Sequence, residues 1–270
     1  MRTFDYVRPA TLPEALAALA ASPEARALGG GMSLVPALKL RLASPSALVD
    51  LRGIPELRGI RITDDAIVIG ATTTHADVAT HPAILERLPA LAALAGGIGD
   101  PQVRNCGTIG GVVANNDPSA DYPAALLALG ATIETSRGSH AADDFFSGMF
   151  ETALAPGEIV TAIRFPIPKQ AAYEKFKSPA SRYALVGVFV AVTSGGVRVA
   201  VTGAASCVFR ADMIESALGE RLAPESLEGL RFSTDGLNAD MHADAPFRAH
   251  LIGVLARRAV SKLLATGKVN

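Results

Sequence analysis

The chain has 270 residues, with 25 Lys and Arg against 26 Asp and Glu, for a formal net charge of −1. That balance, with no long basic run, argues against nucleic acid as the main partner. The longest uncharged apolar stretches, Leu88–Gly99 and Tyr122–Ile133, are too short to span a bilayer. No apolar segment follows Met1-Arg2-Thr3-Phe4-Asp5, so no secretory signal is read and a cytoplasmic location is expected. The length suits one large domain or two modest ones.

Two cysteines, Cys106 and Cys207, cannot supply the four thiolates of an iron–sulfur cluster or a structural zinc site. They are expected as buried or half-buried thiols in a reducing compartment. His75 and His81, across a short helical stretch, are expected in solvent rather than on a metal. Charged residues make up 19% of the chain, below the roughly 25% usual for soluble domains. Part of that deficit fits a surface covered by a partner.

In chain order, Phe4–Val7 reads as extended. Thr11-Leu12-Pro13-Glu14 is a capping box before a helix through Ala15–Ala21. Arg26–Leu28 is a strand that enters Gly29-Gly30-Gly31, after which Ser33 is placed to cap a helix over Leu34–Leu42. Ala47–Asp50 completes a β-α-β-α-β series. Gly59–Ile62 and Ala66–Gly70 predict a hairpin, and helical patches follow at Ala76–Ala79 and Ala83–Ala95. Gly96–Asp121 shows little regular periodicity but too much apolar content for disorder. Tyr122–Leu129 reads as a buried helix, with strands at Ala131–Thr135 and Ile159–Phe165. Pro166-Ile167-Pro168 marks a domain boundary. Beyond it, strands at Tyr173–Lys177, Leu185–Thr193 and Val197–Thr202 precede helices near Ala211–Leu218 and Phe247–Thr266.

Two glycine clusters could carry chemistry. Leu28-Gly29-Gly30-Gly31-Met32-Ser33 turns from a strand into a helix start, where consecutive N–H groups can cradle an anion. Gly107-Thr108-Ile109-Gly110-Gly111 offers a second run of N–H donors and a hydroxyl. Each is equally readable as a tight turn. Neither fits a P-loop, and a G-x-G-x-x-G frame begun at Gly29 fails at Leu34. No catalytic triad or paired-carboxylate arrangement stands out. Asp117 and Asp121 read first as caps of the helix that follows them.

Together these segments carry a family resemblance. Gly29-Gly30-Gly31-Met32-Ser33-Leu34-Val35-Pro36 resembles the A-G-G-x-S-L-x-P loop of the FAD-binding medium subunits of the molybdenum hydroxylases, the carbon monoxide and xanthine dehydrogenase family. Asp100-Pro101-Gln102-Val103-Arg104-Asn105, Thr108-Ile109-Gly110-Gly111 and Asp117-Pro118-Ser119-Ala120-Asp121 are similar to that family's D-P-Q-V-R-N…T-I-G-G…D-P-x-x-D series. Gly157-Glu158-Ile159-Val160 and Tyr173-Glu174-Lys175-Phe176-Lys177 resemble its later motifs, in the same order.

The resemblance implies an α+β fold. A two-lobed p-cresol-methylhydroxylase-type FAD-binding domain would span residues 1–168, with lobes of about 1–55 and 56–168. A smaller α+β C-terminal domain would span 169–270. It implies that Gly29, Gly30, Gly31, Met32 and Ser33, with Thr108, Ile109, Gly110 and Gly111, cradle the FAD pyrophosphate. Ile98 would neighbour the flavin, Asp121 would hydrogen-bond the cofactor, Val160 would touch it through its backbone, and Lys177 would approach the isoalloxazine. An outward Lys177 and a helix-capping Asp121 are the competing readings. Met32 and Val112 depart from the family, which usually has a polar residue at the first position and Asn at the second. The resemblance also implies two partners, a large molybdopterin subunit and a small iron–sulfur subunit, in a dimer of heterotrimers. Electrons would pass from the partner's clusters through FAD to an external acceptor. A stand-alone flavin oxidoreductase of the same fold, or a scaffold subunit with weak or lost FAD binding, is the alternative.

Overall fold

The β-α-β-α-β series folds into a parallel three-stranded sheet. A computed structural model describes residues 1–266, and the last four positions of the expected C-terminal domain lie outside them. Strands β1 (Asp5–Val7), β2 (Arg26–Leu28) and β3 (Ala47–Asp50) lie in the order β1-β3-β2. Helix α1 (Leu12–Ala20) starts where the Glu14 N–H donates to the Thr11 hydroxyl at 3.4 Å, while the Glu14 carboxylate accepts from the Ala10 amide. Its Ala15 and Leu19, one turn apart, pack on Val49, Leu51, Ile54 and Leu57. Helix α2 (Leu34–Lys39) ends short of the expected Leu42, because Arg41 turns into the left-handed region at φ 61°. Ser33 occupies the cap position of α2 but makes no capping hydrogen bond.

The middle of the chain forms an antiparallel sheet. Strands β4 (Ile60–Ile62), β5 (Ala66–Gly70), β6 (Thr132–Thr135), β7 (Gly138–Ala141) and β10 (Val160–Pro166) take the order β4-β5-β10-β6-β7. The returning β10 thus sits in the centre, paired with β5 on one side and β6 on the other. A hairpin of β8 (Phe146–Gly148) and β9 (Glu151–Thr152), without a signal in the sequence reading, lies between them. Helix α3 (His75–Thr80) begins under the Thr74 cap. The single helix expected over Ala83–Ala95 is two, α4 (Pro82–Arg87) and α5 (Pro89–Gly96). Pro89 drives Leu88 out of the helical region, to φ −147° and ψ 59°.

The passage Gly96–Asp121, expected to be irregular, holds two short helices, α6 (Pro101–Cys106) and α7 (Ile109–Asn115). Asp100 and Thr108 cap them by accepting from Val103 and Gly111, three residues on. Glycine density hides this pattern, since glycine disfavours the helices that the caps nonetheless start. Helix α8 (Tyr122–Leu129) is buried along its whole length.

The last third adds an antiparallel sheet of β11 (Gln170–Lys177), β12 (Ala184–Thr193), β13 (Gly196–Thr202) and β14 (Phe209–Arg210), in chain order. Helices α9 (Asp212–Glu220) and α10 (Ala245–Thr266) cover one face. Val186, Val188, Val190, Val199 and Val201 point at those helices. Tyr173, Phe189, Ala191 and Ala200 point the other way, into the cluster built around α8 and the middle sheet. Burial on both faces explains why Leu185–Thr193 is apolar without alternation. Apolar packing therefore continues across Pro166–Pro168. Among the described residues no helix is long and apolar enough to cross a membrane.

Asp50, at the end of β3, has a buried carboxylate that accepts from the Tyr6 phenol and from both Arg52 Nε and Nη2, at 2.9 and 2.7 Å. Burial pushes its pKa up, but the Arg52 and Tyr6 hydrogen bonds overcome that and hold it at about 2. A depressed carboxylate stabilises the fold above its ordinary pKa, and that contribution fades as pH falls from near 4 towards 2. Arg52 is half exposed and screened, so Asp50→Asn should cost on the order of 1–2 kcal/mol at pH 7. Urea denaturation at pH 7 and pH 2.5 checks this, the difference between the two proteins narrowing at the lower pH.

Candidate functional site

The strand β2 leads Gly29 and Gly30 directly onto the segment that links α6 to α7. A Cβ on Gly29 would lie 2.7 Å from Thr108 Oγ1, and one on Gly30 would overlap the Cys106 carbonyl and stand 2.6 Å from Gly107 Cα. The two glycine clusters, far apart in sequence, thus touch backbone to backbone. These glycines are required first by that contact. Gly31 adopts φ 73°, turning the chain into α2. Among the described residues, the amides of Gly29, Gly30, Gly31, Met32, Ser33 and Leu34 donate to no protein acceptor, and the first helical bond runs from Val35 N–H to the Gly31 carbonyl at 2.9 Å. A run of unclaimed amides is an anion-binding concavity.

The second cluster is built differently from the expected run of open donors. Ile109 N–H donates to the Thr73 carbonyl, Gly110 N–H to that of Ala71, and Gly111 N–H to Thr108 Oγ1, at 3.1, 2.9 and 3.2 Å. Gly110 is buried, and a Cβ there would sit 2.5 Å from that of Ala71 and 2.7 Å from its carbonyl oxygen. Gly111 is exposed, with only the Thr108 hydroxyl close to where a Cβ would be. Val112 packs half-buried against the main apolar cluster, so its side chain is used in packing. Met32 is exposed at the rim of the first loop.

Several polar groups gather around this seam. Asp121 stands at the start of α8 but makes no capping bond, and Asp117 instead accepts from the nearby Ser119 N–H. The Asp121 carboxylate is buried and takes hydrogen bonds from the Tyr173 phenol at 2.5 Å and from Lys175 Nζ, whose nearer approach is 2.9 Å. Burial raises its pKa even against Lys175 and Tyr173. Lys175 also donates to the Arg182 carbonyl at 3.2 Å. Lys177, two positions on, is exposed and lines the mouth of a groove of about 230 Å³ with Tyr173, Lys175 and Lys262. The lysine joined to Asp121 is therefore Lys175, which the sequence reading passed over. Sitting two residues from Lys177 along one strand, it shares that residue's face, and alternation alone does not separate them.

Tyr183, also unforeseen, faces the Ser33 hydroxyl, its pKa raised mainly by partial burial. Ile98 lies half-buried, and its carbonyl accepts from Arg104 at 2.9 Å. Val160 is buried at the start of β10, beside Thr135 of β6. Cys106, expected to be at least half-buried, is exposed, because it ends α6 at the loop contact.

His75, expected in solvent, is 2% exposed. It sits beneath Gly107, where a Cβ would come 2.6 Å from His75 Nε2, and its ring lies tilted against that of Tyr122, with centroids 5.4 Å apart. Its Nδ1 and the Tyr122 hydroxyl are buried with no hydrogen-bond partner among the described residues. Helical spacing could not reveal this burial, because the groups against the ring, Gly107 and Tyr122, come from much later in the chain. Burial, helped by the Arg104 charge, lowers the imidazole pKa to about 4. The unfolded chain then binds the proton first, so stability should fall as pH drops from 6.5 towards 4, by up to about 3 kcal/mol. In His75→Gln that slope should flatten, as read by thermal unfolding across the same pH range.

Residues 2–168 match the family described as the FAD binding domain in molybdopterin dehydrogenase. The chain is 38% identical to the carbon monoxide dehydrogenase medium chain of Afipia carboxidovorans, with 98% of each chain covered. It is 34% identical to the nicotine 6-hydroxylase medium subunit of Paenarthrobacter nicotinovorans, over 94% of this chain and 95% of the relative. Its fold superposes on a chain of the reconstituted CO dehydrogenase from Oligotropha carboxidovorans with a TM-score of 0.90 at 36% identity, covering 98% of both. FAD carries an anionic pyrophosphate, and the unclaimed amides of residues 29–34 are suited to receive one. The chain belongs to the FAD-binding flavoprotein family of the molybdopterin dehydrogenases, and FAD is its cofactor.

Proposed function

We propose that this chain is the electron-transferring flavoprotein subunit of a heteromeric molybdenum hydroxylase. FAD, when bound, supplies an acceptor for electrons from a partner's iron–sulfur clusters and passes them to an external oxidant. The relatives are named as medium chains or medium subunits, which supports a large and a small partner. With only two cysteines in the sequence, the clusters belong on another chain, as does the molybdenum cofactor. An assembly of two copies of each subunit is the form we favour. Exposed Leu40, Leu42, Met149 and Phe150 are apolar surface of the kind partners cover. The unpaired thiols of Cys106 and Cys207 suit a reducing compartment, in support of the cytoplasm.

The observation that carries the site assignment is the run of amides at the two-loop seam that donate to no protein acceptor among the described residues. Gly29, Gly30, Gly31, Met32 and Ser33 would hold the pyrophosphate through their N–H groups. Thr108 would add its hydroxyl, and Ile109, Gly110 and Gly111 would continue the cradle beside it, Gly111 lying next to Gly29. Ile98, Val160 and Lys177 would border the flavin. Asp121, held by Tyr173 and Lys175, would present a fixed carboxyl to the cofactor. Residues 1–168 would form the FAD-binding domain, in lobes 1–55 and 56–168, and residues from 169 the C-terminal domain. The match over residues 2–168 supports that division.

Met32 tests the cradle because it is exposed and its replacement leaves the loop contact alone. Met32→Glu should place a carboxylate beside the pyrophosphate and lower FAD content of the purified complex by about tenfold or more through like-charge repulsion. Met32→Gln, neutral and of similar length, should retain it. The flavin absorbance per protein reads the outcome, and full FAD content with an unchanged release rate in Met32→Glu would reject the assignment.

A further inference from the structure

Arg248 is the buried polar residue that the site described above leaves unexplained. It lies in the first turn of α10, is 2% exposed, and carries its positive charge where the helix dipole disfavours one. Burying a guanidinium there is costly unless its donors are used. Its two Nη groups are used on one feature, while Nε has no hydrogen-bond partner among the described residues. Nη1 donates to the Leu185 carbonyl at 2.6 Å and the Gly203 carbonyl at 2.9 Å, and Nη2 to Asp240 Oδ2 at 2.7 Å. Leu185 is the extra residue at an irregularity in the β11–β12 ladder, and Gly203 follows the last paired residue of β13, so neither has a cross-strand partner. Asp240 is itself braced by the amides of His242 and Ala243 at 2.8 and 3.1 Å.

The clamped strand end reaches the cofactor cleft. Gly203 N–H donates to the Pro118 carbonyl at 2.9 Å. The Thr202 hydroxyl bonds the Ala120 carbonyl at 2.6 Å and that of Pro118 at 3.1 Å. Gly203 has φ 81°, and a Cβ there would lie 2.5 Å from the Ala184 carbonyl, so the strand end has one available path. The turn it holds, closed by the Ala120 N–H donating to the Asp117 carbonyl, leads directly into Asp121.

We propose that Arg248 is a positioning residue for Asp121: by clamping the Leu185 and Gly203 carbonyls it sets the Thr202–Gly203 strand end that fixes the Pro118–Ala120 turn. The C-terminal helix thereby determines the placement of one wall of the FAD site. The inference rests on the proposed assignment of Asp121 to that site.

FAD release from the purified complex, followed by flavin fluorescence on dilution well below the melting temperature, tests it. Asp121→Asn should speed release and establishes that the site reading holds. Arg248→Lys, which keeps the charge but cannot span both carbonyls and Asp240, should speed release about tenfold. Thr202→Val should do the same, and Thr202→Ser, which keeps the hydroxyl, should restore the original rate. The Arg248→Lys/Thr202→Val double variant should be no faster than the faster single, because both break one chain of contacts. Release unchanged in Asp121→Asn overturns the site reading and this inference with it. Faster release in Asp121→Asn, with unchanged rates in Arg248→Lys and Thr202→Val, overturns the positioning role alone, as do strictly additive effects. Should Arg248→Lys fail to fold, the Thr202→Val and Thr202→Ser pair decides: loss without serine rescue overturns the link to the turn.

Discussion

The contact between Gly29-Gly30 and Cys106-Gly107-Thr108 is the constraint on which the rest of the site depends. It is a backbone-to-backbone approach with no room for a Cβ on the first loop. Because side chains are absent there, the parallel sheet of the first fifty residues can lie directly against the capped helices of the middle sheet. The seam also leaves a consequence for hydrogen bonding. The second loop spends the amides of Ile109, Gly110 and Gly111 inside the protein, whereas the first keeps its amides unclaimed. Rigidity comes from one side and donors from the other. A preformed set of donors costs little to organise when an anion arrives.

Charge around the seam is arranged with similar economy. Asp121 is the buried acid, and it is neither left alone nor exposed: the Tyr173 phenol and Lys175 ammonium engage both its oxygens. A carboxylate in such a place holds one orientation, since losing either partner would leave a buried charge unpaired. His75 makes the complementary choice. It sits beneath Gly107 as a neutral ring, because burial and Arg104 both oppose its protonation. The floor of the second loop thus adds shape without adding a titrating charge near neutral pH.

The third sheet ties the C-terminal helices to this arrangement. Its two faces serve two cores, one with α9 and α10 and one with α8 and the middle sheet. Where its strands end, carbonyls that would otherwise lack partners are taken by Arg248, and the adjacent donors of Thr202 and Gly203 hold the turn before Asp121. A helix far along the chain is therefore joined by hydrogen bonds to the strand end that holds the turn before Asp121. Apolar residues such as Leu40, Leu42 and Phe150 remain at the surface, consistent with a chain that works among partners.

Local pattern sufficed for much of this molecule. The Thr11–Glu14 cap, the Thr63-Asp64-Asp65 turn between β4 and β5, the apolar run of β12 and the uninterrupted apolar helix α8 are short-range features, and each formed where its own residues dictated. Each glycine cluster alone reads equally as a tight turn, and FAD is implied only by the family resemblance that the ordered motifs carry together. Local pattern failed where the deciding neighbour was distant. Gly30 and Gly110 are glycine because of Gly107 and Ala71, not because of a ligand on the side their Cβ would occupy. Lys175 meets Asp121, a buried partner supplied by a segment more than fifty residues earlier. His75 is buried where Gly107 and Tyr122 meet its ring, and Arg248 has meaning only beside the unpaired Leu185 and Gly203 carbonyls of the folded sheet. Helix and strand periods are set by neighbours three or two residues away. Burial, ion pairing and close backbone approach are set by elements the chain brings back later, so only the tertiary structure could decide them.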